Sequence, residues 1–168
     1  MASYDIGKEY VIKWVKRKFP PGSTCLDVGA CDGKWAKLFN GYFRMDGVEI
    51  YQPNIWNHNL LGKYRFLANT DIGILLYDYY DLIIFGDVLE HMPVEKAQKV
   101  LEYAYPRCKD MIVAVPYNLP QKAIYDNPWE VHIQPDLDDE KMAERYPMLE
   151  MIYKYNEEYA YFHKKENR

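Results

Sequence analysis

The sequence predicts a single domain over residues 1–168 of α/β class, a three-layer α/β/α arrangement. It is built on a doubly wound, mostly parallel sheet that ends in a C-terminal antiparallel β-hairpin. Three observations lead there. Short apolar runs alternate with helical patterns through the first two-thirds of the chain. Two of those runs, Asp81–Phe85 and Met111–Val115, are almost continuously apolar, as central parallel strands covered on both faces must be. The last two β-like runs, Leu149–Tyr155 and Tyr159–His163, flank Asn156-Glu157 at hairpin spacing. A length of 168 residues allows one core and not two.

In chain order, residues 5–18 read as an amphipathic helix. Ile6, Tyr10, Val11, Trp14 and Val15 lie on one face, with Lys13, Lys16 and Arg17 on the other. Pro20-Pro21 ends it, because proline cannot continue the hydrogen-bonded ladder. Thr24–Val28 is the first strand, followed by a glycine turn and a helix over about 33–40. Phe43–Ile50 is the second strand, Gln52–Leu61 a short helix and Tyr64–Leu67 a weak third strand. Between the two apolar runs a helix spans about 93–105, with Pro93 and Glu95 in its first turn. Residues 117–135 form a long polar and aromatic loop, of a length that is usually functional. A helix at about 137–145 follows, capped by one of Asp136, Asp138 and Asp139.

Composition narrows the function classes. A formal charge of −4 weighs against sequence-independent phosphate binding, so a nucleic-acid partner is not expected. Cys25, Cys31 and Cys108 form no C-x-x-C pair and no metal-ligand spacing, so no metal site is expected. An odd cysteine count, with no secretory signal, points to a reducing, cytoplasmic setting. No apolar run reaches the roughly 18 residues of a membrane span. The seventeen tyrosines read chiefly as half-buried packing residues with wet hydroxyls.

The chemistry-bearing signal is Leu26-Asp27-Val28-Gly29-Ala30-Cys31-Asp32-Gly33 between a strand and a helix. Gly29 permits a sharp turn, and Gly33 lets the helix start lie close to a ligand. Free backbone N–H groups there favour an anionic group, and Asp27 suits a ligand ammonium. Glu49, ending the second strand, is placed to hold both hydroxyls of a ribose, although a strand-end carboxylate also caps a following helix.

With these residues the chain resembles the class I S-adenosylmethionine-dependent methyltransferases, a Rossmann-like family, over almost its whole length. LDVGACDG is similar to their first motif, GVEIYQP to the second, NTDI to the third and YDLIIFGDVLEHM to the fourth. The resemblance implies S-adenosylmethionine as cofactor, held by Asp27, Gly29, Ala30, Gly33, Glu49, Ile50, Asp71, Ile72, Gly86 and Asp87. Glu49 would take the ribose, Ile50 and Ile72 the adenine ring, and Asp71 the exocyclic amine. Gly86-Asp87 would border the methionine end. One departure stands in the first turn, where Cys31 occupies a position usually given to glycine. Its Cβ restricts the backbone, and with nothing nearby to lower its pKa it reads as inert rather than reactive.

On the acceptor side, Glu90-His91 and His132 are candidate catalytic residues. A neutral imidazole can take a proton from a substrate hydroxyl or amine during transfer. Glu-His pairs at this point are found in branches acting on small molecules and sugars, so a small-molecule or glycan substrate is expected. The alternative for Glu90-His91 is a helix-start role, and for His132 a structural one. Tyr117, Tyr125 and Trp129 offer rings for stacking against a sugar or planar acceptor, and no Asn/Asp-Pro-Pro-Tyr signature of base-amino methylation is present. Two other functions share these features: a non-catalytic partner protein of the same fold, and a nicotinamide-dependent oxidoreductase. The turn reads G-x-x-x-G rather than G-x-G-x-x-G, which disfavours the latter.

Overall fold

The structure, a computed structural model, describes residues 5–166. Its elements are helix α1 (Lys8–Lys18), strand β1 (Thr24–Val28), α2 (Lys34–Phe39), β2 (Arg44–Val48), α3 (Gln52–Asn57), β3 (Phe66–Ala68), β4 (Tyr80–Gly86), α4 (Val94–Ala104), β5 (Cys108–Pro116), α5 (Asp139–Arg145), β6 (Leu149–Tyr155) and β7 (Tyr159–Lys164). They form one seven-stranded sheet in the order β3-β2-β1-β4-β5-β7-β6. The first five strands pair in parallel, and β7 runs antiparallel to both β5 and β6. The expected parallel sheet with a terminal hairpin is therefore present. No helix among the described residues is long and apolar enough to cross a membrane.

Strand residues alternate between two cores, as the pleat requires. Cys25, Leu82, Ile84, Ile112, Ala114 and Tyr161 face one layer, which α1, α2 and α3 cover with Val11, Val15, Trp35, Phe39 and Ile55. Leu26, Val28, Ile83, Phe85, Val113 and Phe162 face the other, covered by Ala97, Val100 and Leu101 of α4 and Met142 of α5. Leu82–Phe85 and Met111–Val115 are wholly buried, which is why neither run shows an apolar–polar alternation.

Several boundaries shift for local reasons. The first helix starts at Lys8 rather than residue 5, because Gly7 adopts a left-handed φ of 75° ahead of it. The buried stripe of α1 is Lys8, Val11 and Val15; Tyr10 is exposed. The helix expected over 52–61 breaks at Asn59, itself left-handed, and resumes as one 3₁₀ turn, Leu60–Gly62. The third strand is Phe66–Ala68; Tyr64 lies in the preceding turn and points inward. Asp138 is the α5 cap, accepting from the Lys141 N–H at 2.7 Å.

The loop after β5 folds back across the sheet's carboxyl edge and docks through one side chain. Gln134 Nε2 donates to the carbonyls of Leu89 (2.8 Å) and Met92 (2.9 Å), while Tyr146 donates its hydroxyl to Gln134 Oε1 (2.9 Å). The Ile133 and Gln134 N–H groups both donate to the Glu90 carbonyl, at 2.7 and 3.0 Å. Replacing Gln134 with leucine leaves the Met92 carbonyl without its donor in a dry interior and leaves the Leu89 carbonyl only the Met92 N–H. A buried polar group so orphaned costs about 1–3 kcal/mol. Urea unfolding is expected to show a lower midpoint for Gln134→Leu; an unchanged midpoint would argue against the clamp.

Candidate active site

The strand order reverses between β1 and β4, so the crossovers leaving them go to opposite faces and open a crevice at their carboxyl ends. The structure has its main cleft there, about 940 Å³ including the open mouth. Its floor is the turn after β1. Gly29 and Ala30 donate their N–H groups to the Val48 carbonyl at 2.9 and 3.0 Å, which staples the turn to the end of β2. Gly29 has φ 73°, and a Cβ on it would lie 2.7 Å from Val88 Cγ2, so only glycine fits. Cys31 has φ 48°, a left-handed conformation that an L-residue adopts at some cost. Burial raises its thiol pKa to about 12, in keeping with the inert reading.

Glu49 follows β2 and is 4% exposed. Its Oε2 accepts from the Cys31 N–H and its Oε1 from the Tyr51 N–H, each at 2.7 Å, and Asn54 also bonds it. Burial raises its pKa against the effect of those bonds. Among the described residues no lysine or arginine pairs with Glu49. A carboxylate on a cleft wall with neutral donors alone still has lone pairs for hydroxyl groups.

The remaining cofactor-side residues divide. Ala30, Ile50, Ile72, Gly86 and Asp87 line the cleft with Gly29 and Glu49. Asp71 lines it too, but its carboxylate already pairs with Lys96 and accepts the Gly73 N–H at 2.7 Å. Asp27 and Gly33 do not reach the wall. Asp27, 1% exposed, receives the Tyr64 hydroxyl on Oδ2 at 2.6 Å, and its Oδ1 has no partner. Burial raises its pKa to about 7 despite that hydrogen bond. Asp87, left-handed at φ 55°, receives the Tyr159 hydroxyl on both oxygens at 2.7 and 2.8 Å. Lys8 of α1 is 3% exposed; burial lowers its pKa to about 8, against the pull of Asp87.

The acceptor-side residues meet. Leu89–His91 form a 3₁₀ turn after β4, and α4 begins only at Val94, so Glu90-His91 does not cap that helix. The His91 and His132 rings pack edge to face with centroids 4.8 Å apart, although the residues come from different segments. His91 Nδ1 lies 3.1 Å from the Val131 carbonyl and His132 Nδ1 2.6 Å from the Leu119 carbonyl. A carbonyl only accepts, so each ring carries its proton on Nδ1 and leaves a lone pair on Nε2. Burial lowers the His91 pKa to about 4 and also lowers that of His132, so both rings are neutral near pH 7. His91 is on the cleft wall, with His132 behind it.

The aromatic residues of the loop part company. Trp129 lines the cleft, whereas Tyr117 is buried with its hydroxyl donated to Asp139 (2.9 Å), and Tyr125 is 89% exposed. The sequence reading missed Trp35, Asn54, Lys96 and Glu130, which also line the cleft. Trp35 is largely a core residue of α2, yet its Nε1–H sits without a partner above Gly86. Glu130 adjoins Trp129 in the loop flagged as functional, the one signal that would have found it.

No family model matches the sequence, and no curated protein matches it. Solved structures share its fold. One is an S-adenosylmethionine-dependent methyltransferase from Clostridium acetobutylicum ATCC 824, 12% identical, with a TM-score of 0.71 over 94% of this chain and 89% of that one. Another is the 1,6-didemethyltoxoflavin-N1-methyltransferase of Burkholderia thailandensis with bound 1,6-didemethyltoxoflavin and S-adenosylhomocysteine. It is 12% identical, with a TM-score of 0.70 over 95% of this chain and 78% of that one. A third is the N-methyltransferase NodS from Bradyrhizobium japonicum WM9, 12% identical, at 0.66 over 94% of each chain.

The buried Asp27 carboxyl has a measurable consequence. With its pKa raised to about 7, the folded chain keeps a proton that the unfolded chain releases near pH 4. Stability from this group is thus fully present at low pH and is lost as pH rises through about 7. Unfolding midpoints measured from pH 4.5 to 8 are expected to fall less steeply in Asp27→Asn than in the wild type. Identical slopes would contradict the raised value.

Proposed function

We propose that the chain is an S-adenosylmethionine-dependent methyltransferase acting on an oxygen or nitrogen of a small molecule or sugar. The observation that carries this reading is Glu49: a buried carboxylate with no cation, on the wall of a cleft at the sheet's reversal point. Neutral hydroxyl donors, such as a ribose diol, complete it without adding charge. Gly86 and Trp35 stand on the same wall, where the Trp35 indole fills the space a side chain at residue 86 would take. The shared fold with the methyltransferases above supports the reading, and the toxoflavin enzyme supports a small-molecule acceptor.

When bound, S-adenosylmethionine supplies an electrophilic methyl on a good leaving group, so catalysis rests mainly on positioning. Holding two reactants in line is worth effective molarities of about 10⁵–10⁸ M. Glu49 binds hydroxyls, Ile50 and Ile72 offer apolar faces to a flat ring, and the backbone at Gly29–Ala30 and Gly86 borders the same cleft. Trp129 and Met92 help exclude water at the mouth. His91, neutral with its Nε2 lone pair free, can accept a proton from a hydroxyl or amine. A general base of this kind contributes about 10²–10⁴-fold.

Calorimetric titration of the purified chain with S-adenosylhomocysteine tests the cofactor side. The wild type is expected to bind it and to ignore NAD(H). Glu49→Ala is expected to weaken binding by about ten- to a hundredfold, the value of hydrogen bonds to a charged group. Binding of NAD(H) instead would favour an oxidoreductase, and binding of neither would favour a non-catalytic partner protein. On the acceptor side, His91→Ala is expected to reduce turnover by about 10²-fold or more while S-adenosylhomocysteine affinity stays nearly constant. A parallel loss of affinity would reassign His91 to cofactor binding.

A further inference from the structure

Behind His91 the structure holds a carboxylate that nothing described above uses. Glu90 is 1% exposed, and neither carboxylate oxygen has a hydrogen-bond partner among the described residues. An unpaired buried carboxylate is among the costliest groups a protein can retain. Its backbone is fixed as firmly as its side chain is unsatisfied, since the Glu90 carbonyl accepts the N–H groups of Ile133 and Gln134. Asp87 and Glu130 lie close enough to act on it electrostatically, so a cation at this point has acidic groups beyond Glu90 to interact with.

The two histidines beside it are oriented alike. Each commits Nδ1–H to a main-chain carbonyl, Val131 for His91 and Leu119 for His132, which leaves Nε2 free. Metal-binding histidines are held this way, the second ring nitrogen donating to a carbonyl or carboxylate that fixes the tautomer. One ligand atom from each of Glu90, His91 and His132 lies within 4.8 Å of the other two. Bonds of about 2.0–2.2 Å to a tetrahedral ion put ligand atoms about 3.3 Å apart, so side-chain movements of roughly an ångström close the site.

We propose that Glu90, His91 and His132 bind one divalent transition-metal cation on the acceptor side of the cleft. Two imidazoles and one carboxylate suit zinc, iron, cobalt or manganese far better than magnesium or calcium, which prefer oxygen donors throughout. Three protein ligands leave coordination positions open, and His91 is the member that faces the cleft. The Nε2 lone pair of His91 has one use at a time: the base role given above belongs to the metal-free protein, and in the loaded protein the same atom is a ligand. The cation's use, which rests on the methyltransferase reading, is to hold an oxygen-bearing acceptor. The sequence expectation of no metal came from the cysteines; these ligands are drawn from two segments that only the fold brings together.

The test is titration of the full chain, dialysed against chelator, with Co²⁺, following visible d–d absorption. One Co²⁺ per chain is expected, displaced by one equivalent of Zn²⁺ and not by Mg²⁺. Glu90→Gln, which keeps the shape and removes the charge, and His132→Asn are each expected to weaken Co²⁺ binding at least tenfold. His58→Ala, at an exposed position, should leave it unchanged, and circular dichroism confirms that each variant is folded. Absence of stoichiometric binding, or equal affinity in folded Glu90→Gln and His132→Asn, overturns the proposal. S-adenosylhomocysteine titrated into the same samples separates the two readings: metal binding without it sinks only the methyltransferase reading, and the converse sinks only the metal site.

Discussion

Desolvated carboxyl groups at one edge of the sheet are the constraint on which the rest of the site depends. Asp27, Glu49, Asp87 and Glu90 all stand at the carboxyl ends of β1, β2 and β4 or just beyond, and three of them are buried. Parallel strands put their carboxyl ends together, so residues far apart in the chain meet at that edge. Each carboxylate is handled by a different neutral donor: a tyrosine for Asp27, two backbone N–H groups for Glu49, and a second tyrosine for Asp87. Lys8 adds a buried positive charge from the far side of the chain, interacting with Asp87 and Asp27. Glu90 alone has no such donor.

This view gives the tyrosine-rich composition a more specific meaning. Tyr64 and Tyr159 each fill core volume with the ring and place a hydroxyl on a buried carboxylate. Tyr146 does the same for an amide, through Gln134. A phenol suits such a place because it carries no charge of its own and bonds one acceptor without needing water. The carboxylates keep their pKa values high as a result, since a neutral donor offsets less of the burial cost than a paired cation would.

Much of the frame was legible because its signals are local. The runs Asp81–Phe85 and Met111–Val115, the Gly29–Gly33 turn and the position of Glu49 each depend on a few adjacent residues, and the structure has them in the expected order. What could not be read depends on tertiary placement. Asp71 shares the cleft but is neutralised by Lys96, a partner on α4 that no spacing rule links to it. Asp27 is buried on the Cys25 face of β1, where Tyr64, outside the third strand, meets it. Tyr117, Tyr125 and Trp129 look alike in sequence, yet one is core, one is exposed and one lines the cleft. His91 and His132 were singled out separately; that they touch follows only from the loop's return across the edge.

The manner of that return bears on selectivity. Because Gln134 fastens residues 89–92 to the loop end, and the loop backbone in turn holds Glu90, the two histidine-bearing segments are tied together by side-chain and main-chain hydrogen bonds alike. The wall they form resists adapting its outline to whatever enters. Farther along the loop, Tyr125 and Asp126 are two consecutive left-handed residues at the surface, outside the cleft lining. A molecule entering the cleft thus meets, at the histidines, a wall braced by the loop's own hydrogen bonds. Such a wall sorts candidates by the shape of the end that reaches it.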